Sequence, residues 1–185
     1  MSWIILVLGV ALWWGAHLFK RIAPERRAAM EDSKAAGLVA AGLVAAIVLM
    51  VVGYRATPFV EIWSPPSFLR HLNNLIVLIA IYMMSPAPKK GKLLNGMRHP
   101  MLAGFSLWAI AHLLVNGDLA AMILFGGLLA WSLVTPGIIN RAEPDWTPPE
   151  PGSIAKDGMF LAGSVVLLLV IGVIHGWLGY PVFGR

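Results

Sequence analysis

Six long stretches without a charged residue are the feature of this sequence that most restricts its fold. No Lys, Arg, Asp or Glu occurs in residues 1–19, 35–54, 71–88, 99–117, 119–140 and 158–184. A helix needs about 20 apolar residues to cross a hydrocarbon core of about 30 Å. The stretches do not alternate apolar and polar residues, as the strands of a membrane barrel would. The sequence therefore predicts membrane-spanning helices, which satisfy their own backbone groups in lipid.

We predict one all-α domain over residues 1–185, an integral membrane bundle of six transmembrane helices. The spans are expected at about residues 2–19, 35–54, 70–86, 100–115, 118–138 and 157–179. Basic residues collect on the cytoplasmic side of membrane proteins. All 14 Lys and Arg residues except Arg55, Arg70 and Arg185 fall in the first, third and fifth connections. We therefore expect a multi-pass protein of a bacterial inner membrane, with both termini on the periplasmic side.

Composition excludes several functional classes. The chain is 58% hydrophobic and has no cysteine, so disulfides, thiol nucleophiles, iron–sulfur clusters and haem attached through C-x-x-C-H are excluded. The H-E-x-x-H zinc motif and the glycine motifs that bind nucleotides are absent. The net charge of +5 is explained by anchoring to the membrane surface. The expected partner is the lipid bilayer, and no nucleic acid is expected.

Histidines are the main candidates for a functional site, because polar side chains inside a membrane span are costly and usually face the bundle interior. The five are His17, His71, His99, His112 and His175. His112 shares one helical stripe with Phe105 and Trp108, an apolar aromatic surface around one nitrogen ligand, which suits a porphyrin. The alternative is that His112 only hydrogen-bonds to a neighbouring helix.

The predicted depths of the histidines divide them into two layers. His71, His112 and His175 fall toward the outer side, and His17 and His99 toward the cytoplasm. His99 precedes His112 by about 20 Å along a regular helix and is rotated from it by about 140°. One metal ion therefore cannot bind both. On depth alone, His71 or His175 is the easier partner for His112.

Three motifs in this sequence resemble the NnrU family of bacterial membrane proteins. They are WWGAHLFKRIAP, WSPPSFLRHL and RHPMLAGFSLWAIAHLLVNGDLAAMILFGGLLAWSL. The family is associated with nitrite and nitric oxide reductase expression in denitrifying bacteria. The same domain is similar to 15-cis-zeta-carotene isomerase, a membrane protein that contains b-type haem.

This resemblance implies that His112 and His17 ligate a b-type haem, and we rank His71 third. Trp108 and His99 complete the expected cofactor site. The implied role is redox or related to nitric oxide and denitrification, or an isomerase-like activity on a lipid-soluble substrate. A small lipid-soluble or gaseous ligand is therefore an expected partner.

The motif RHPMLAG also resembles the R-H-P-x-Y-x-G motif of integral membrane methyltransferases. That resemblance implies S-adenosylmethionine binding near Arg98 and His99 on the cytoplasmic side. The sequence departs from the motif because Leu102 replaces the tyrosine, and because Glu143 is followed by Pro144 rather than by a second glutamate. A regulatory or assembly protein without a cofactor is the third alternative.

Overall fold

The computed structural model describes residues 1–183, and Arg185 of the charge count therefore lies outside the described residues. Within residues 1–183 the chain is all-helical, with eight helices and a single isolated β-bridge. The helices are α1 (Ser2–Ile22), α2 (Pro24–Ala28), α3 (Asp32–Ala56), α4 (Leu69–Met84), α5 (Ala87–Lys90), α6 (Pro100–Val115), α7 (Leu119–Ala142) and α8 (Ile154–Trp177). The helices α1, α3, α7 and α8 are long and apolar enough to cross a membrane, and α4 and α6 are shorter apolar helices.

The first structural unit contains residues 1–64 and 116–131. Its main contact is between α1 and α3, which approach closely at glycines. A Cβ atom at Gly53 would lie 2.5 Å from the backbone nitrogen of Leu6, so only glycine allows this approach. The start of α7 belongs to the same unit. There the Asp118 carboxylate accepts a hydrogen bond of 2.9 Å from Ala121 N–H and so caps the helix.

The second unit contains Pro65–Val115 and the chain from Ser132 onward. Its core includes Val77 and Ile81 of α4 and Ala111 of α6, and partly buried residues of α8 pack against them. The helices α4 and α6 meet closely at Gly104, where an added Cβ would lie 2.8 Å from the backbone oxygen of Ala80. This packing holds α4, α6 and α8 side by side along one cavity.

A buried carboxylate connects α8 with the loop after α5. Asp157, which is 4% exposed, lies in the first turn of α8 and accepts three hydrogen bonds. The Tyr82 hydroxyl donates at 2.6 Å, and the backbone N–H groups of Lys92 and Leu93 donate at 2.7 and 3.3 Å. A Cβ atom on Gly91 would collide with the same carboxylate. Buried charge is tolerated when several donors satisfy it. Because two of these donors are backbone N–H groups of the loop, Asp157 fixes the path of the loop.

Candidate functional site

The candidate site is a groove within the second unit, between α4, α6 and α8. It has a volume of about 580 Å³, within the range of about 300–1,000 Å³ that is usual for ligand and cofactor pockets. Its walls are mostly aliphatic and aromatic. Six polar side chains on its wall are Asn73, Asn74, Ser85, His112, Ser164 and His175. The groove can therefore hold an apolar ligand and offer it a few defined polar contacts.

His112 reaches the groove from α6, together with Trp108 one turn earlier. Their rings are 4.7 Å apart between centroids. The His112 Nδ1 lies 2.8 Å from the Trp108 carbonyl oxygen, which can only accept, so Nδ1 carries the proton. A neutral imidazole in this tautomer has its lone pair on Nε2. Such a hydrogen bond from the other ring nitrogen is the usual way in which proteins orient a metal-ligating histidine.

His175 of α8 lines the same groove and repeats this geometry. Its Nδ1 donates to the carbonyl oxygen of Ile171, four residues earlier, at 2.9 Å. Its neutral form therefore also carries the lone pair on Nε2. Both histidines are half-buried. The groove thus presents two imidazoles in the tautomer that accepts a hydrogen bond or a metal through Nε2.

Two adjacent amides, Asn73 and Asn74, occupy the same end of the groove as His175. Asn73 is 7% exposed, and its side chain bonds to that of Asn74 at 3.0 Å. Asn74 also donates to the backbone oxygen of Val182 at 3.0 Å. Because α4 and α8 bring these groups together, the groove has one polar end. The remaining length, toward Met84 and Phe160, is largely apolar.

His17, the second ligand implied by the resemblance, lies in the first unit. Its ring is half-buried between two indoles, 4.3 Å from Trp13 and 4.4 Å from Trp131 between centroids. Its Nδ1 donates to the Trp13 carbonyl oxygen at 3.1 Å. It therefore shares the tautomer of His112 but belongs to a different unit.

The two other candidate histidines lie outside the groove. His71 is exposed near the start of α4. The His99 Nε2 lies 2.7 Å from the Asn140 side-chain oxygen, and the neighbouring Arg98 donates to the backbone oxygens of Glu143 and Pro144. Arg98 and His99 thus form hydrogen bonds with residues in the last turn of α7 and just beyond its end.

Sequence reasoning did not select the two asparagines or Asp157. The adjacent amides did carry a signal, since two polar residues within an apolar span are unusual. The predicted depth of His175 also makes it a candidate partner of His112, although it ranks below His17 and His71. Among residues 1–183, no group of three or more His, Cys, Asp or Glu side chains lies close enough to share a metal ion. Haem iron takes only one or two protein ligands.

The helices and the groove define a class of protein: an all-helical membrane protein with histidines on the wall of an apolar cavity. A family model described as NnrU protein matches residues 5–182, and the chain therefore belongs to the NnrU family. This confirms the family predicted from the three motifs. No curated protein and no solved structure matches the chain.

Proposed function

We propose that this member of the NnrU family binds b-type haem, and that His112 would hold the iron. The observation that carries the proposal is the tautomer of His112 at the wall of an apolar groove. Its Nδ1 is held by the Trp108 carbonyl oxygen, so the lone pair is on Nε2, the nitrogen needed for iron. The groove offers the imidazoles of His112 and His175 among mostly aliphatic and aromatic walls, which fits the chemistry of a haem pocket.

The residues of the chain have separate tasks in this proposal. Trp108 orients His112 through its backbone oxygen and packs against the imidazole ring. The apolar groove walls keep water from the ligand position. Bound haem would supply a redox-active iron that can bind a gas such as nitric oxide. The role proposed on this basis is redox or nitric-oxide-related, or isomerase-like on a lipid-soluble substrate. His17 is the proposed second ligand, and His71 is the next candidate.

The proposal includes a topology. Four long apolar helices and the two shorter helices α4 and α6 supply six spans in a bacterial inner membrane, with both termini in the periplasm. The basic connections support this orientation, because they lie on one side in a six-span arrangement. The short helices reach across less of the bilayer than the long ones, which local thinning or flanking polar residues can accommodate.

The methyltransferase alternative depends on Arg98 and His99 being available to S-adenosylmethionine. In the structure both side chains are hydrogen-bonded to residues at the end of α7 and just beyond it. These contacts favour a structural role for the R-H-P motif. We therefore place haem binding ahead of S-adenosylmethionine binding.

Absorbance spectra of histidine variants test the proposal. The protein is expressed with ample haem and purified in detergent. Replacing His112 with alanine should abolish or strongly shift the Soret band, whereas His99→Ala should leave it intact. His17→Ala and His71→Ala identify the second ligand, because only loss of the true partner converts a six-coordinate spectrum to a five-coordinate one. An unchanged spectrum in His112→Ala would refute the assignment.

A further inference from the structure

A positively charged surface lies where α5 and the loop after it meet the start of α8. Its members are four exposed lysines, which we call the lysine patch: Lys89 and Lys90 of α5, Lys92 of the loop and Lys156 of α8. None of the four forms an ion pair with another residue among residues 1–183. The neighbouring Asp157 carboxylate is buried and already accepts three hydrogen bonds. The patch therefore keeps a net positive charge.

The backbone beneath the lysine patch is held by hydrogen bonds. The N–H group of Lys92 donates to the Asp157 carboxylate at 2.7 Å. Gly91 N–H donates to the Ala87 carbonyl oxygen at 2.7 Å, and Gly152 N–H donates to the Gly91 carbonyl oxygen at 2.9 Å. These bonds join α5, the loop and the start of α8, so the like charges are held near one another and repel. An anionic ligand would relieve this repulsion without first having to order the loop.

Exposed apolar side chains adjoin the lysine patch. Leu93, which follows Lys92, is 67% exposed, and Ile154, two residues before Lys156, is 56% exposed. The patch also lies at the ends of two apolar helices, since α4 ends at Met84 and α8 begins at Ile154. Where such helices cross a bilayer, their ends lie near the lipid headgroups. Positive charge beside exposed apolar surface fits a ligand with an anionic head and an apolar tail.

We propose that the lysine patch binds the headgroup of an anionic phospholipid such as phosphatidylglycerol. The ammonium groups contact the phosphate oxygens, and Leu93 and Ile154 contact the adjoining part of the acyl chains. A general attraction of anionic lipids to basic loops would make the basic connections equivalent, whereas a defined site makes this one stronger. The lipid site depends on α4 and α8 crossing the membrane, and it requires neither the groove nor haem.

Lipid binding to the full-length protein in an uncharged detergent tests this site, with the bound fraction measured by native mass spectrometry. Phosphatidylglycerol and phosphatidylcholine with the same acyl chains differ in the net charge of the headgroup. A lysine near anionic lipid contributes about fivefold in affinity, so phosphatidylglycerol should bind about tenfold more tightly or better. Equal binding of the two lipids would overturn the proposal. Displacement by an equal concentration of soluble glycerol 3-phosphate would show a free-anion site and overturn the lipid assignment.

Two triple variants that remove the same charge locate the site. One replaces three members of the lysine patch with glutamine, and the control replaces three exposed basic residues around α2: Lys90, Lys92 and Lys156 in the first, and Lys20, Arg26 and Lys34 in the second. The patch variant should bind phosphatidylglycerol about tenfold more weakly or worse, because losses at neighbouring charges do not add fully. The control should lose about twofold or less. Equal losses would show a general attraction to basic loops and contradict a defined site.

A third variant separates the charge from the shape of the side chains. Replacing Lys90, Lys92 and Lys156 with arginine keeps the charge and should retain phosphatidylglycerol binding. Loss of binding in this variant as well as in the glutamine variant would contradict the electrostatic assignment. The Soret band should be the same in all three variants, because the patch is separate from His112. Absence of haem from the protein would therefore refute the haem proposal and leave the lipid measurement to stand or fail by itself.

Discussion

Replacing Asp157 with alanine should strongly destabilise the second unit. The change removes a buried carboxylate, so that the Tyr82 hydroxyl and two backbone N–H groups lose their hydrogen-bond acceptor. Hydrogen bonds to a charged group contribute about 1.5–3 kcal/mol each, but losses at one site do not add fully. We expect a loss of about 3–5 kcal/mol. At about 2–4 °C per kcal/mol for a chain of this size, the unfolding midpoint should fall by about 6–20 °C.

Thermal unfolding of the detergent-purified protein, followed by tryptophan fluorescence, measures this shift. Asp145 is the matched control, because it is exposed in the linker before α8. Asp145→Ala should move the midpoint by about 2 °C or less. Tyr82→Phe removes only one of the three donors, so its unfolding midpoint should lie between those of Asp157→Ala and Asp145→Ala. If Asp157→Ala unfolds at the same temperature as Asp145→Ala, the carboxylate does not hold the loop and the reasoning is wrong.

The remaining predictions concern the same loop and the orientation of the chain. Gly91→Ala should lower the unfolding midpoint, because the new methyl group would collide with the Asp157 carboxylate, whereas Gly96→Ala meets open space and should have little effect; equal midpoints would contradict the close approach. A Lys90→Cys variant should resist an impermeant thiol reagent in cells with a permeabilised outer membrane, while Phe59→Cys, in the opposite connection, should be labelled. The chain has no native cysteine to interfere, and labelling of Lys90→Cys alone would invert the proposed topology.

The sequence predicted those features that depend on neighbours along the chain. Long apolar runs predict helices, because a helix satisfies its own backbone. Helical periodicity likewise put Trp108 and His112 on one stripe. Contacts between helices were not predictable in this way. Asp157 bonds to Tyr82, 75 residues earlier, and no local pattern indicates that pairing.

The residues that line the groove show the same limit of prediction from sequence. The pattern along its own helix predicts His112 as a site residue. The place of His175 in the site depends on α8 lying beside α4 and α6, which no pattern along α8 indicates. Hydrophobic patterns indicate which face of a helix is apolar, but they do not specify which helices are neighbours. For this reason the sequence allows a depth to be predicted for each histidine, but it does not indicate which residues share one cavity.

The absorbance spectrum of the unaltered protein tests the central claim most directly. The protein is expressed with ample haem, purified in detergent, and measured before and after reduction by dithionite. Haem binding through His112 predicts a Soret band that purifies with the protein and shifts on reduction. A haem-replete preparation of folded protein without a Soret band would contradict the claim, and His112 would then be a histidine that only hydrogen-bonds within the helical bundle.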